Sequence, residues 1–370
     1  MIKVYIKLVQ YKMVESNYLS QKFKILSFLS SIMVVFIHAY SLHINIKGIT
    51  HSVELNVFSF IQSYIINLFQ IAVPMFFMIS GYFVFYNITV LTFKNFIGKI
   101  KKRFRTLIIP FIFWSILYIF FLYLLQLLPE AKIFYTTGKF IQDFSLKELI
   151  QGIFECTFYP PFWYLRNLIV CIILSPLIYF ALRINHYIII GLLFIFWFFN
   201  PGINLAKTAF FYTLGVFWGI KKGHLKYNFL NHKYLELMNI LWFVLLFCET
   251  YISFQSEISI LYLCLYLASI NTILGIVVVW LNYDYYVENS RYKVKLIYIS
   301  SYSFFIYVTH YWIVKLIVKV ILKNLGVSSQ NTLLSFILSS IFTIIFIILI
   351  LEFFKRYFPK FLSVIMGQRV

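Results

Sequence analysis

The sequence predicts an all-α, polytopic integral membrane protein with about ten transmembrane helices and both termini in the cytoplasm. Three observations carry this. Of the 370 residues, 62% are hydrophobic and only 12% charged, whereas a soluble domain is about half apolar and a quarter charged. Apolar runs of spanning length recur along the whole chain, and a helix needs about 20 such residues to cross the hydrocarbon. The basic residues gather in alternate gaps between those runs, as the positive-inside rule requires.

The apolar runs fall near 25–46, 64–86, 107–128, 162–182, 187–200, 206–220, 235–254, 259–281, 297–322 and 333–354. The fifth and sixth are short for a full crossing. Residues 1–24 alternate basic and apolar side chains without a small-residue cleavage site. They are expected to be an uncleaved cytoplasmic tail rather than a signal peptide. Residues 25–356 then form the transmembrane domain and 357–370 a second cytoplasmic tail. With the N-terminus inside, 23 of the 32 Lys and Arg residues fall on the inner side and nine on the outer. The largest outer segment is 129–161, with Glu130, Asp143, Glu148, Glu155 and Cys156.

The formal charge of +20 would suggest nucleic acid in a soluble protein; here it is the positive-inside pattern, and no nucleic-acid partner is expected. The four cysteines, Cys156, Cys171, Cys248 and Cys264, form no CxxC pair, so neither a metal site nor a disulfide framework is expected. No Walker loop, GxGxxG, HExxH or GxSxG pattern appears, which removes the usual soluble nucleotide and hydrolase folds.

Ionisable side chains inside the membrane cost about 2.5–3.5 kcal/mol each on insertion scales and are kept for a reason. His38, Arg166, Glu249 and His310 are of this kind. His38 lies 14 positions beyond Lys24, about 21 Å along a helix, and His310 lies 15 beyond Lys295, about 22 Å. Both runs rise from inside to outside, so the two imidazoles reach nearly one depth. A lone membrane histidine can simply make an interhelical hydrogen bond. Two at one depth, with an arginine near that level, point to proton transfer beside an oxyanion-stabilising cation. Glu249 is the weaker candidate and reads first as an outer-interface residue.

Val73-Pro74-Met75-Phe76-Phe77-Met78-Ile79-Ser80-Gly81 combines a helix-kinking proline with a small pair that lets a neighbour or ligand come close. Lys99-Ile100-Lys101-Lys102-Arg103-Phe104-Arg105 has two readings, a topology anchor on anionic lipid or a phosphate-binding cluster.

Taken in order, these segments resemble acyltransferase family 3, integral-membrane O-acyltransferases. Val34 to His38 resembles its first-helix histidine motif. Val73 to Phe83 resembles its FFxxSGY segment, and Lys102 to Arg105 before Ile109-Pro110-Phe111 its basic pair. Phe162-Trp163-Tyr164-Leu165-Arg166 resembles its WxLR-like segment, and Ser301 to His310 its late Tyr-x-x-His segment. Where the family carries a basic residue eleven positions before the histidine, this chain has Ser27, with Lys24 one turn earlier.

The resemblance implies an acyl-CoA donor, acetyl-CoA among the candidates, approaching from the cytoplasm. It implies a glycan or lipid-linked saccharide as acceptor on the far side of a bacterial inner membrane. His38 would be the catalytic base, with His310 and Arg166 at the acceptor or oxyanion end. Lys102 and Arg105, joined by Lys24 and Ser80, would hold the donor. Direct transfer and an acyl-histidine intermediate both fit. A non-catalytic polysaccharide exporter or flippase is the competing expectation; it favours paired repeats, which the sequence lacks.

Overall fold

In the computed structural model, residues 2–46, 49–86, 93–128, 139–221, 232–254 and 258–367 are described. Lys47, Lys222, Lys226, Arg369 and the part of the expected outer segment at 129–138, with Glu130 and Lys132, lie outside them. The protein is a helical bundle with one two-stranded hairpin. Among the described residues, eight helical stretches are long and apolar enough to cross a membrane, and a further one, Pro160–Ile173, is apolar but shorter.

Helix α1 runs unbroken over Ile2–Ala39, so the helix extends back through most of the expected N-terminal tail. No glycine or proline interrupts residues 2–39, which leaves nothing to stop it. The first span was expected to reach residue 46, but the helix ends at Ala39. The next residues form an antiparallel hairpin, β1 (His43–Ile46) and β2 (Ile49–Ser52).

The expected second span, 64–86, is two helices beginning earlier, α2 (Val57–Phe69) and α3 (Ala72–Phe85). Pro74 does not kink a continuous helix. It sits in the first turn of α3, where a missing N–H is tolerated. Asn56 caps α2 in a reciprocal pair with Ser59. It also donates to Ser329 Oγ at 2.5 Å, tying this end of the bundle together.

Helix α4 (Phe93–Arg103) passes through a π-helical turn, Phe104–Ile108, into α5 (Ile109–Leu127). Short helix α6 (Leu146–Glu155) and a 3₁₀ turn at Pro160–Phe162 lead into α7 (Trp163–Ile173) and α8 (Ser175–Phe199). Within α8 the backbone leaves helical geometry at Asn185 (φ −156°, ψ 99°). Helix α9 (Asn204–Lys221) shows what happens there. Before the break α7 and the start of α8 run parallel to α9, with Asn167 of α7 meeting Thr208 and Ser175 of α8 meeting Tyr212. After it α8 and α9 run antiparallel, with His186 stacked on Phe217 and Trp197 on Phe210. The chain reverses at Asn185, between the two spans expected at 162–182 and 187–200.

Helices α10 (His232–Ser253), α11 (Ile258–Asn282), α12 (Lys293–Ser300), α13 (Ser303–Leu325) and α14 (Ser329–Tyr357) complete the bundle. The C-terminal segment expected as a tail begins with α15 (Pro359–Ile365). It packs back on α5, where Trp114 donates its indole N–H to the Ile365 carbonyl at 3.1 Å.

The tightest helix pair is α3 with α9. A Cβ on Gly215 would fall 2.0 Å from the Met78 carbonyl oxygen, and one on Gly81 2.2 Å from that of Tyr212. Only glycine lets the two backbones approach this closely. Gly81 therefore serves a neighbouring helix, while Ser80 beside it faces elsewhere.

Candidate active site

Helix α1 packs between α3, α13 and α14, and this brings the two matched histidines together. The rings of His38 and His310 lie 5.2 Å apart, centroid to centroid. Tyr311 meets His38 edge-on at 5.1 Å. His310 is fully buried and His38 half-buried.

The chemistry of its neighbours sets the tautomer of His310. Its Nδ1 lies 2.8 Å from the Tyr307 carbonyl and 3.1 Å from that of Ile306. A carbonyl only accepts, so in the neutral ring Nδ1 carries the proton. Nε2 then holds a lone pair, and among the described residues it has no hydrogen-bond partner. A buried, unpartnered imidazole nitrogen beside a second imidazole is a costly arrangement unless a proton or a ligand uses it.

An aromatic collar fixes this turn of α13. The Tyr159 hydroxyl sits in the helix ladder, donating to the Tyr307 carbonyl at 3.3 Å and accepting from the Tyr311 N–H at 3.3 Å. Tyr118 stacks on Tyr159 at 4.1 Å and donates to the Val308 carbonyl. Tyr307 donates to the Pro161 carbonyl at 2.6 Å, and Trp312 to that of Phe158 at 3.1 Å. The segment Phe158–Phe162 is thereby buttoned onto the histidine-bearing turn.

A cavity of about 460 Å³ opens on the α1 side away from the hairpin. Lys24, Ser27 and Arg103 line it, together with Ser80, Ser300 and Ser303, and its walls include Phe76, Tyr164 and Tyr307. Tyr307 is the residue whose carbonyl holds His310, so the cavity wall and the histidine turn are one piece of helix. Ser80 and the Tyr164 hydroxyl lie 3.2 Å apart across it. The volume is that of a small-molecule site.

Of the residues expected to bind the donor, the structure brings Lys24 and Ser80 to this cavity. Lys102 and Arg105 are exposed and do not line it; Arg103, between them, does. Arg103 ends α4 where the π-helical turn begins, and such a turn changes the angular step between successive side chains. Arg166 is not gathered with the histidines by any hydrogen bond. Its guanidinium is engaged by the Phe154 carbonyl at 3.1 Å and the Asn167 side chain. Glu249 is buried and accepts from Asn271 at 2.6 Å, a helix-to-helix tie between α10 and α11. Among the described residues no group of three or more His, Cys, Asp or Glu gathers as a metal site would require.

Arg103 and the collar tyrosines Tyr118 and Tyr159 were not singled out from the sequence. For Tyr159 the signal was the run Phe158-Tyr159-Pro160-Pro161-Phe162, whose prolines make a rigid turn.

No curated protein and no solved structure matches the chain. A family model, Acyl_transf_3, described as an acyltransferase domain, matches residues 23–352. That span takes in α1 from the cavity-lining Lys24 through to α14, and with it both histidines, so the chain belongs to acyltransferase family 3.

Proposed function

We propose that the protein transfers an acyl group, acetyl being the simplest, from acyl-CoA to a hydroxyl of a surface or lipid-linked polysaccharide across a bacterial plasma membrane. The observation that carries this is the His38–His310 pair, set on the same stretch of α13 as the wall of a cavity lined by Lys24 and Arg103. Cations and serine hydroxyls suit phosphate and carbonyl oxygens. The cavity opens toward the end where basic residues gather, taken as the cytoplasm, where acyl-CoA is made. Reversal at Asn185 supports ten crossings with both termini on that side.

His38, the less buried imidazole, takes the proton as the acceptor oxygen attacks the thioester carbonyl; the tetrahedral intermediate then collapses with cleavage of its C–S bond, and the proton passes from His38 to the departing CoA sulfur. The imidazolium that forms can donate to the Nε2 of His310, held in the accepting tautomer by the Tyr307 carbonyl. Arg166, tied to the Phe154 carbonyl, would reach an oxyanion only after releasing it. Transport without chemistry leaves the paired imidazoles without a task.

The test compares His38→Gln and His310→Gln with the parent protein, reading O-acyl signals of purified surface polysaccharide by proton NMR. Loss of a general base costs about 100- to 10,000-fold in rate, which this assay reads as absence of signal. Near-normal O-acylation by a monodisperse His38→Gln protein would refute the role given to His38.

A further inference from the structure

A second cavity, of about 480 Å³, lies at the hairpin end of the bundle, where the ends of α1 and α10 meet α2 and the hairpin. Tyr40, His43, Ser63, Asn67, Ser253 and Phe254 line it, with only Leu, Val and Ile besides, so none of its lining residues is Lys, Arg, Asp or Glu. Hydrogen bonds decide which polar atoms remain for a ligand. The Thr250 hydroxyl donates to the Leu246 carbonyl at 2.9 Å. Its oxygen can then only accept, and it takes the Asn67 amide N–H at 3.0 Å. That orientation leaves the Asn67 side-chain carbonyl oxygen as an acceptor. Ser253 donates to the Thr250 carbonyl at 2.7 Å and keeps its lone pairs. Across the hairpin His43 Nδ1 meets Ser52 Oγ at 3.2 Å, which leaves the opposite ring nitrogen. The Tyr40 and Ser63 hydroxyls are hydrogen-bonded to each other. Oriented acceptors beside aromatic rings suit a ligand with many hydroxyls and an apolar face. A wall without charge suits a neutral one, because an unpaired charge is costly to desolvate. Phe36 and Tyr40, four positions apart, turn toward α2, with Phe36 meeting Phe69 at 5.4 Å. His38, between them, turns toward His310 on α13. The cavity and the histidine pair therefore flank the end of α1 on opposite sides, and Tyr40 is two residues, about 3 Å, beyond His38.

We infer that this cavity binds a neutral saccharide unit of the acceptor, one that flanks the unit being acylated, so that the enzyme grips its acceptor by more than one sugar. This rests on the proposed acylation at His38 and deepens it. A helix with its side chains is about 10 Å across, more than one pyranose ring spans. A single sugar therefore cannot fill the cavity and reach His38 together. A chain seated in the cavity crosses the end of α1 and carries a neighbouring unit to the histidine pair.

Purified protein in phosphatidylcholine nanodiscs is tested for binding of de-O-acylated surface polysaccharide from the parent cells, cut into single sugars and longer oligomers. Oligomers should bind more than tenfold tighter than single sugars, and added salt should leave that affinity in place. Ser253→Trp, which fills the cavity from an exposed position, should cost more than tenfold in oligomer affinity. His43→Ala, on the exposed hairpin, should cost up to about tenfold, the worth of one hydrogen bond. Neither variant should change the affinity for acyl-CoA, bound at the opposite end. The inference is overturned if oligomers bind no tighter than single sugars, if salt abolishes their binding, or if Ser253→Trp, monodisperse on size exclusion, binds them as the parent protein does. The two proposals fail separately: His38→Gln with full O-acylation sinks the chemistry and leaves oligomer binding intact, whereas loss of the oligomer preference leaves the histidine result untouched.

Discussion

Asp284→Ala should be among the most destabilising single changes in the protein. Lys22 on α1 is fully buried, and its ammonium lies 2.7 Å from the Asp284 carboxylate in the π-helical turn Tyr283–Val287 that follows α11. Tyr18 donates to the same carboxylate oxygen, and its hydroxyl accepts from Lys22 at 3.1 Å. Removing one member of a buried pair strands the other and costs about 3–5 kcal/mol. The Lys22 ammonium also lies over the Trp280 ring at 3.8 Å. That contact survives the substitution and is worth up to about 2 kcal/mol when desolvated, so the loss should fall near the lower figure. The consequence reaches the site, because Lys24 and Ser27 on the next turn line the cavity and His38 lies further along the same helix. The assay is thermal unfolding in detergent followed by size-exclusion fluorescence, beside Lys22→Met/Asp284→Leu. The single variant should lose several degrees and the double variant should recover much of it, since a well-packed apolar pair can replace a buried ion pair. A loss under about 1 kcal/mol in the single variant, or a double variant worse than the single, would refute the reasoning.

Gly215→Ala should lower thermal stability by about 1–3 kcal/mol or more through overpacking against the Met78 carbonyl, while Gly98→Ala, with nothing within 4 Å, should not; equal effects would remove the close-packing argument. Cys156, in the segment expected outside, is buried, and burial pushes its thiol up to about 11. It should therefore resist an impermeant maleimide at neutral pH, whereas a cysteine replacing exposed Lys147 should react from outside intact spheroplasts; labelling at 147 only after lysis would invert the topology. Glu148 is held down at about 2 by its hydrogen bond from Lys139 and by the backbone N–H and hydroxyl of Ser145. A depressed carboxylate contributes above its ordinary value and loses that contribution as pH falls through the folded one. Protection of the Ser145 amide from hydrogen exchange should accordingly hold from neutral pH to about pH 4 and be low throughout in Glu148→Ala, which removes the acceptor; a wild-type drop between pH 5 and 4 would contradict this.

Much of the bundle was legible because lipid imposes a simple rule on composition. Apolar length and basic gaps locate most crossings, and depth counted from Lys24 and Lys295 was enough to match His38 with His310. Rise per residue is common to all helices, whereas rotation depends on the local winding. This is why the basic cluster at 99–105 was readable as a cluster but not in the direction each member takes: a π-helical turn begins at Phe104, and Arg103 lines the cavity while Lys102 and Arg105 do not. Ser80-Gly81 was readable as a close-approach pair but not as two tasks, since periodicity cannot say that α9 would take the glycine and the cavity the serine. The collar was hidden for another reason. In a chain with 29 tyrosines, Tyr118 and Tyr159 look like ordinary interface aromatics. Only tertiary contact distinguishes a phenol at a membrane interface from one whose hydroxyl is inserted between Tyr307 and Tyr311. Tyr159→Phe separates these: it deletes only the hydroxyl, so an interface role predicts no change in O-acylation, whereas a positioning role predicts a loss of activity larger than the loss of stability. The Tyr307 carbonyl holds both Tyr159 and the Nδ1 proton of His310, which gives the collar a route by which an aromatic outside the histidine pair bears on the imidazole tautomer.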